Sequence, residues 1–189
     1  MKVIPLNKNE TQLIARAIKN DRGAQQRLYD LHSGRMLSVC RMYIKDLHHA
    51  EEVLLNGFFK VFKYLADFKN QGSFEGWIRK IMIRECISFL RSEKVLEFKE
   101  DGLEDYNGSF SNIESKMNVD EIQQLIDSLP EGYKIVFVMY AIDGYKHVEI
   151  SEMLNIKIGT SKSQLFKARK MLQDKLRTQN ISGYGTVKI

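Results

Sequence analysis

Residues 146–176 read KHVEISEMLNIKIGTSKSQLFKARKMLQDKL. The first nine form a short amphipathic stretch in which Val148, Ile150, Met153 and Leu154 are apolar. Asn155 follows, a residue type that tolerates the left-handed backbone conformation. Ile156 offers an apolar plug for the angle of a tight turn. From 159 to 176 the spacing predicts a longer helix, with Leu165, Ala168, Leu172 and Leu176 three and four apart on an inward side. A short helix, a tight turn and a longer helix make the helix-turn-helix pattern. The other side of the long helix, read as outward, holds Lys162, Ser163, Phe166, Lys167, Arg169 and Lys170, with the amide of Gln164 among them. Such a set suits a helix lying in a DNA major groove. Lysine and arginine meet phosphate or guanine, an amide reads adenine, and an aromatic ring touches a thymine methyl. A solvated basic helix is the competing reading of the same charges.

Upstream, residues 119–129 keep Ile122, Leu125, Ile126 and Leu129 in helical phase. Pro130 then begins a helix over 130–142, because its missing N–H is no loss at a first helical position. Gly144 is a candidate left-handed cap for that helix. Residues 94–116 lose periodicity, and they carry Gly102, Gly108, Ser109 and Ser111. That stretch is read as a flexible linker.

Charge is distributed unevenly. The 189 residues carry a net +5. Residues 93–121 hold nine acids and three bases, whereas residues 155–179 hold seven bases and one acid. A basic C-terminal segment beside an acidic middle points to a polyanionic partner at one end. The hydrophobic share of 43% is ordinary for a globular chain. No apolar run approaches the roughly 18 residues of a membrane span, and residues 1–9 show no secretory signal, so the expected location is the cytoplasm. Cys40 and Cys86 stand far apart among apolar neighbours and are read as buried, reduced thiols.

Before the linker the period predicts four helices. The first covers 10–19, with Leu13, Ile14, Ala17 and Ile18 on one face. The second covers 24–44, with Leu28, Leu31, Leu37, Cys40 and Ile44 inward and Gly34 as a possible bend. The third covers 47–68, with Ala50, Val53, Leu54, Phe58, Val61, Phe62 and Leu65 as its stripe. Gly72-Ser73 break the chain, and the fourth covers 74–93. That last helix mixes Phe74, Trp77 and Phe89 with Arg79, Lys80, Arg84 and Arg91. Rings interleaved with cations suit melted DNA, whose bases stack and whose phosphates pair. Simple core packing of Phe74 and Trp77 is the competing reading.

Three stretches together resemble the extracytoplasmic-function (ECF) class of RNA polymerase sigma factors, within the sigma-70 family. They are His49-Ala50-Glu51-Glu52-Val53 through Phe58-Phe59-Lys60-Val61-Phe62; Gly72-Ser73-Phe74-Glu75-Gly76-Trp77-Ile78-Arg79-Lys80-Ile81 through Phe89-Leu90-Arg91; and Leu129-Pro130 through Gly144-Tyr145, followed by residues 159–169. The resemblance covers residues 10–176. It implies an all-α chain of two small helical domains, sigma region 2 over 1–93 and the helix-turn-helix sigma region 4 over 117–178. A flexible acidic linker over 94–116 joins them, and a tail follows over 179–189. It implies binding to core RNA polymerase, through the β′ clamp helices and the β flap, and to the minus-ten and minus-thirty-five promoter elements.

By position in the family pattern, Lys162, Ser163, Phe166 and Lys167 would face the minus-thirty-five element, and the amide of Gln164 is added to them as an adenine reader. Trp77, Arg79, Lys80 and Arg84 would lie at the minus-ten strand. Glu51, Glu52, Leu55, Asn56 and Phe59 would sit on or beside the polymerase-binding helix. An anti-sigma factor is a partner this family commonly has. The chain departs from the pattern at Leu55-Asn56, where a Gln–acid pair is usual, and at Lys157-Ile158, where a Ser or Thr cap followed by Glu is usual. Lys157 opposes the dipole of the helix it precedes, so it is read as a phosphate contact.

The chain has no phosphate-binding glycine loop, zinc-protease or nucleophile-elbow motif. No catalytic residue, metal or cofactor is expected. His48-His49 read as a polar helix start, and His147 as either a contact to DNA backbone or an exposed cap. The main alternative is a dimeric helix-turn-helix repressor or activator with a sensing N-terminal domain, which would have no use for Glu51-Glu52 together with a basic, aromatic fourth helix.

Overall fold

The computed structural model describes residues 8–69, 71–93, 96, 98 and 118–183. The chain divides into two compact units, Met1–Glu93 and Lys94–Ile189. Among the described residues every regular element is helical, and no helix is long and apolar enough to cross a membrane. Residues 99–117, most of the expected linker, lie outside the described residues.

The first unit packs α1 (Lys8–Ile18), α2 (Arg22–Tyr43), α3 (Leu47–Lys63) and α4 (Phe74–Ser92) around one core. The starts of α2, α3 and α4 have a chemical cause. Asp21, Asp46 and Ser73 accept the backbone N–H of Ala24, His49 and Gly76 at 3.0, 2.9 and 3.0 Å, the side-chain caps that satisfy first-turn donors. The Ala24 N–H and then the Arg16 guanidinium hold the Asp21 carboxyl below its usual range. α2 is one helix through Gly34. Its Leu31, expected inward, is 59% exposed; α1 closes the neighbouring turns at Leu28 and His32 instead. His32 Nε2 lies 2.8 Å from Glu10 Oε1, which fixes α1 to α2. Cys40 and Cys86 are buried free thiols.

α3 ends at Lys63, short of the expected 68, and a 3-10 turn over Leu65–Asp67 carries the chain on. Phe68 leaves that turn in extended backbone. Its ring meets Phe74 at 5.2 Å and Trp77 at 5.5 Å, so an aromatic cluster rather than a longer helix closes this corner.

The second unit contains α5 (Val119–Asp127), α6 (Glu131–Phe137), α7 (His147–Leu154) and α8 (Ile158–Gly183). Asn118 and Glu121 form a reciprocal capping box at the start of α5. Pro130 stands just before α6, where its carbonyl accepts from Tyr133 and Lys134 at 2.9 Å. The helix expected over 130–142 changes at Phe137 into a π-helical turn, Val138–Ile142. Gly144 is left-handed at φ 75°. α5, α6 and α7 all pack on α8. α8 continues through residue 178, where a tail was expected, to Gly183.

Candidate nucleic-acid interface

The turn between α7 and α8 has the expected geometry. Asn155 is left-handed at φ 53° and ψ 51°. The Ile156 N–H donates to the Ser151 carbonyl at 3.0 Å, and Ile156 is half-buried in the angle. At the other end of α7 the Lys146 N–H donates to Glu149 Oε2 at 2.8 Å. Ile150 and Leu154 are buried against α8.

The face of α8 needs correction at two positions. Ser163 and Gln164, read as outward and base-contacting, are buried at 5% and 1% exposure. Ser163 Oγ donates to the Thr160 carbonyl at 3.0 Å, a bond spent within its own helix. The cause is that α8 is sandwiched by α5, α6 and α7, so its inward arc includes Ser161, Ser163 and Gln164 besides Leu165 and Ala168. The solvent side is narrower than expected. Lys162 and Lys170 are exposed, and Phe166, Lys167 and Arg169 are half-exposed. Leu172 and Leu176, expected inward, are half-buried. Lys157, at the entry to α8, is exposed.

His147 is not an exposed cap. It is half-buried, and its Nδ1 lies 2.9 Å from the buried Ser161 Oγ. Burial pushes its pKa below the ordinary value, and the cations Lys162 and Arg169 push the same way.

In the first unit, α3 turns Glu51, Glu52, Leu55, Asn56 and Phe59 outward at three- and four-residue spacing. Leu55 is 59% exposed and Phe59 70% exposed. On α4, Lys80 and Arg84 are exposed and Arg79 is half-exposed. Trp77 is half-buried and stacks on Phe74 at 5.8 Å, so it serves the aromatic corner. Arg35 and Glu75 at 2.7 Å tie α2 to the start of α4, and Lys60 and Glu85 at 2.7 Å tie α3 to its middle.

His48 and His49 lie 3.8 Å from Glu51 and Asp46 respectively. Among the described residues there is no group of three or more His, Cys, Asp or Glu side chains placed to hold a metal ion.

Comparison with known proteins adds findings of three kinds. Residues 28–95 match the family model described as Sigma-70 region 2, and residues 119–172 match the one described as Sigma-70, region 4, together more than half of the chain. The chain is 26% identical over 172 residues to the ECF RNA polymerase sigma factor SigW of Bacillus subtilis, covering 84% of this chain and 92% of SigW. It is 24% identical over 178 residues to the ECF RNA polymerase sigma-E factor of Escherichia coli K12, covering 87% of this chain and 93% of that protein. Its fold is similar to that of the sigma factor RpoE of Bartonella quintana, solved in complex with the anti-sigma factor NepR, with a TM-score of 0.52 at 16% identity over 80% of this chain and 96% of RpoE.

Proposed function

The chain belongs to the sigma-70 family as an RNA polymerase sigma factor of the ECF type, a transcription initiation factor and not an enzyme, and from that premise we propose which surfaces it uses. The first unit docks on core polymerase, at the β′ clamp helices, through the α3 stripe Glu51, Glu52, Leu55, Asn56 and Phe59. The observation that carries this is the exposure of Phe59 and Leu55, one helical turn apart, on a helix whose other side is fully buried. Burying two such side chains on a partner yields roughly 1.5–3 kcal/mol each. Leu55-Asn56, in place of a Gln–acid pair, makes this contact more apolar.

α4 offers Arg79, Lys80 and Arg84 to the phosphates of the melted minus-ten strand, with the half-buried Trp77 beside them. The second unit docks at the β flap and reads the minus-thirty-five element with α8. Lys162, Phe166 and Lys167 face the groove, and Lys157 meets a phosphate at its entry. Ser163 and Gln164 are buried supports of that helix rather than base readers. The functional boundaries proposed are residues 1–93 and 117–178 with a linker between, the second unit's last helix extending to Gly183. An anti-sigma factor, the kind of partner seen on RpoE, would compete for these same faces. The site of action is the cytoplasm, where the polymerase works.

Competition binding of purified core polymerase tests the first docking surface. Phe59→Ser is expected to weaken core binding by about tenfold or more, the scale of one lost apolar anchor. Wild-type affinity in Phe59→Ser would reject the α3 stripe as the polymerase surface.

A further inference from the structure

One aromatic ring joins three segments of the second unit. The π-helical turn Val138–Ile142 widens the backbone, a form of bulge that recurs at functional sites. It presents Tyr140, half-buried, to the start of α7 and the middle of α8. The Tyr140 ring stacks on the His147 ring, with centroids 4.6 Å apart and planes 25° apart. The Arg169 guanidinium lies 5.6 Å from the same Tyr140 centroid. His147 in turn reaches the fully buried Ser161 through its Nδ1, at 2.9 Å. The result is a closed bracket from Arg169 to Tyr140, to His147, to Ser161, and back along α8.

The bracket matters because α7 is short and its apolar anchorage is small. It is eight residues long and buries only Ile150 and Leu154. Two adjacent apolar contacts let a short helix rock about its axis, and a third fixed point at its first residue removes that freedom. Arg169 also shares a helical face with Lys162 and Phe166, at spacings of three and four. Stacking on an aromatic face limits the rotamers of a guanidinium before any DNA arrives, so a pre-positioned face loses less entropy on binding.

We propose that Tyr140 is a positioning residue for promoter recognition, setting the pitch of α7 on α8 and the direction of Arg169 through this bracket. The inference rests on the reading of α8 as the duplex-contacting helix. Tyr140 contributes discrimination between sequences rather than overall attraction to DNA, because the phosphate-directed lysines do not depend on it.

The test uses full-length protein reconstituted with core polymerase. The probes are a promoter duplex recovered by run-off selection and the same duplex with its upstream element randomised. Tyr140→Leu is expected to lower the preference for the promoter duplex about tenfold, the combined scale of an aromatic pair and a cation–π contact. Its affinity for the randomised duplex, and its salt dependence there, should stay at the wild-type values. Tyr140→Phe keeps the ring and should keep the preference within about twofold. Ser161→Ala, a small change that leaves the ring in place, should reduce the preference by about threefold, as expected for one lost hydrogen bond. Wild-type preference in Tyr140→Leu or in Ser161→Ala overturns the proposal. So does a Tyr140→Leu protein that loses both duplexes equally, or a Tyr140→Phe protein as impaired as Tyr140→Leu. A wild-type protein with no preference between the duplexes would instead overturn the reading of α8 itself.

Discussion

Lys134 Nζ lies 2.9 Å from Asp127 Oδ1, and the two side chains are 1% and 7% exposed. The pair joins α5 to α6 across the turn at Leu129-Pro130. A buried ammonium is costly unless a carboxylate answers it, so the two residues are interdependent. Asp127→Ala is expected to cost about 3–5 kcal/mol in chemical denaturation, because Lys134 is left charged and unpaired in the core. Replacing both, with Asp127→Leu and Lys134→Met, should restore stability to near the wild-type value. A single substitution costing under about 1 kcal/mol would mean that Lys134 escapes to water, against its observed burial.

Gly57 on α3 faces Met82 on α4, and both are buried. A Cβ at Gly57 would overlap Met82 Sδ and crowd its Cε. Gly57→Ala is therefore expected to destabilise the first unit by about 1–3 kcal/mol, despite the better helix propensity of alanine. Shortening the neighbour with Met82→Ala should make the two changes non-additive, the double variant being more stable than the sum predicts. Strict additivity in thermal melts would count against close contact at this crossing.

His147 titrates in a site that disfavours its charged form, through burial first and through Lys162 and Arg169 next. Its folded pKa lies below the ordinary 6.5 of the unfolded chain. Above about pH 6.5 both states are neutral and its contribution is fully present. As pH falls below that value the unfolded state takes up a proton first, and stability declines until the folded pKa is passed. An NMR titration of the His147 ring should give a midpoint under 6.5, and His147→Asn should flatten this part of the stability profile. A midpoint at or above 6.5 contradicts the burial described for His147.

Lys157 stands exposed at the entry to α8, where its charge opposes the helix dipole. Bound phosphate would offset that cost. Lys157→Ala should reduce the slope of log affinity against log salt by about 0.9, the value for one phosphate contact on duplex DNA. An unchanged slope would remove Lys157 from the interface.

The parts legible in the sequence were those governed by local chemistry. Asn155 in a left-handed turn, Gly144 at positive φ and the α4 start at Phe74 after Gly72-Ser73 follow from backbone preferences of single residues. What escaped depends on neighbours distant in sequence. Ser163 and Gln164 are polar and two of their neighbours are basic, so periodicity assigned them to solvent; three helices packed on α8 reassign them to the interior. Lys134 is buried because Asp127 lies in reach, a partner seven residues away on another helix. The π-helical turn at Val138–Ile142 leaves apolar residues apolar and gives no periodic signal, so Tyr140 and its link to Arg169 went unnoticed. By contrast, Leu55 and Phe59 sit off the core stripe of α3 in the sequence itself, and their exposure follows directly from the helical period.

The most direct test of the central claim is run-off transcription with purified core polymerase on a promoter library, with and without this protein. Discrete start sites that appear only when the protein is added, sharing two upstream sequence elements, are the expected result. Start sites unchanged from core polymerase alone would contradict it, and specific duplex binding by the protein alone under those conditions would mark it as a conventional helix-turn-helix regulator.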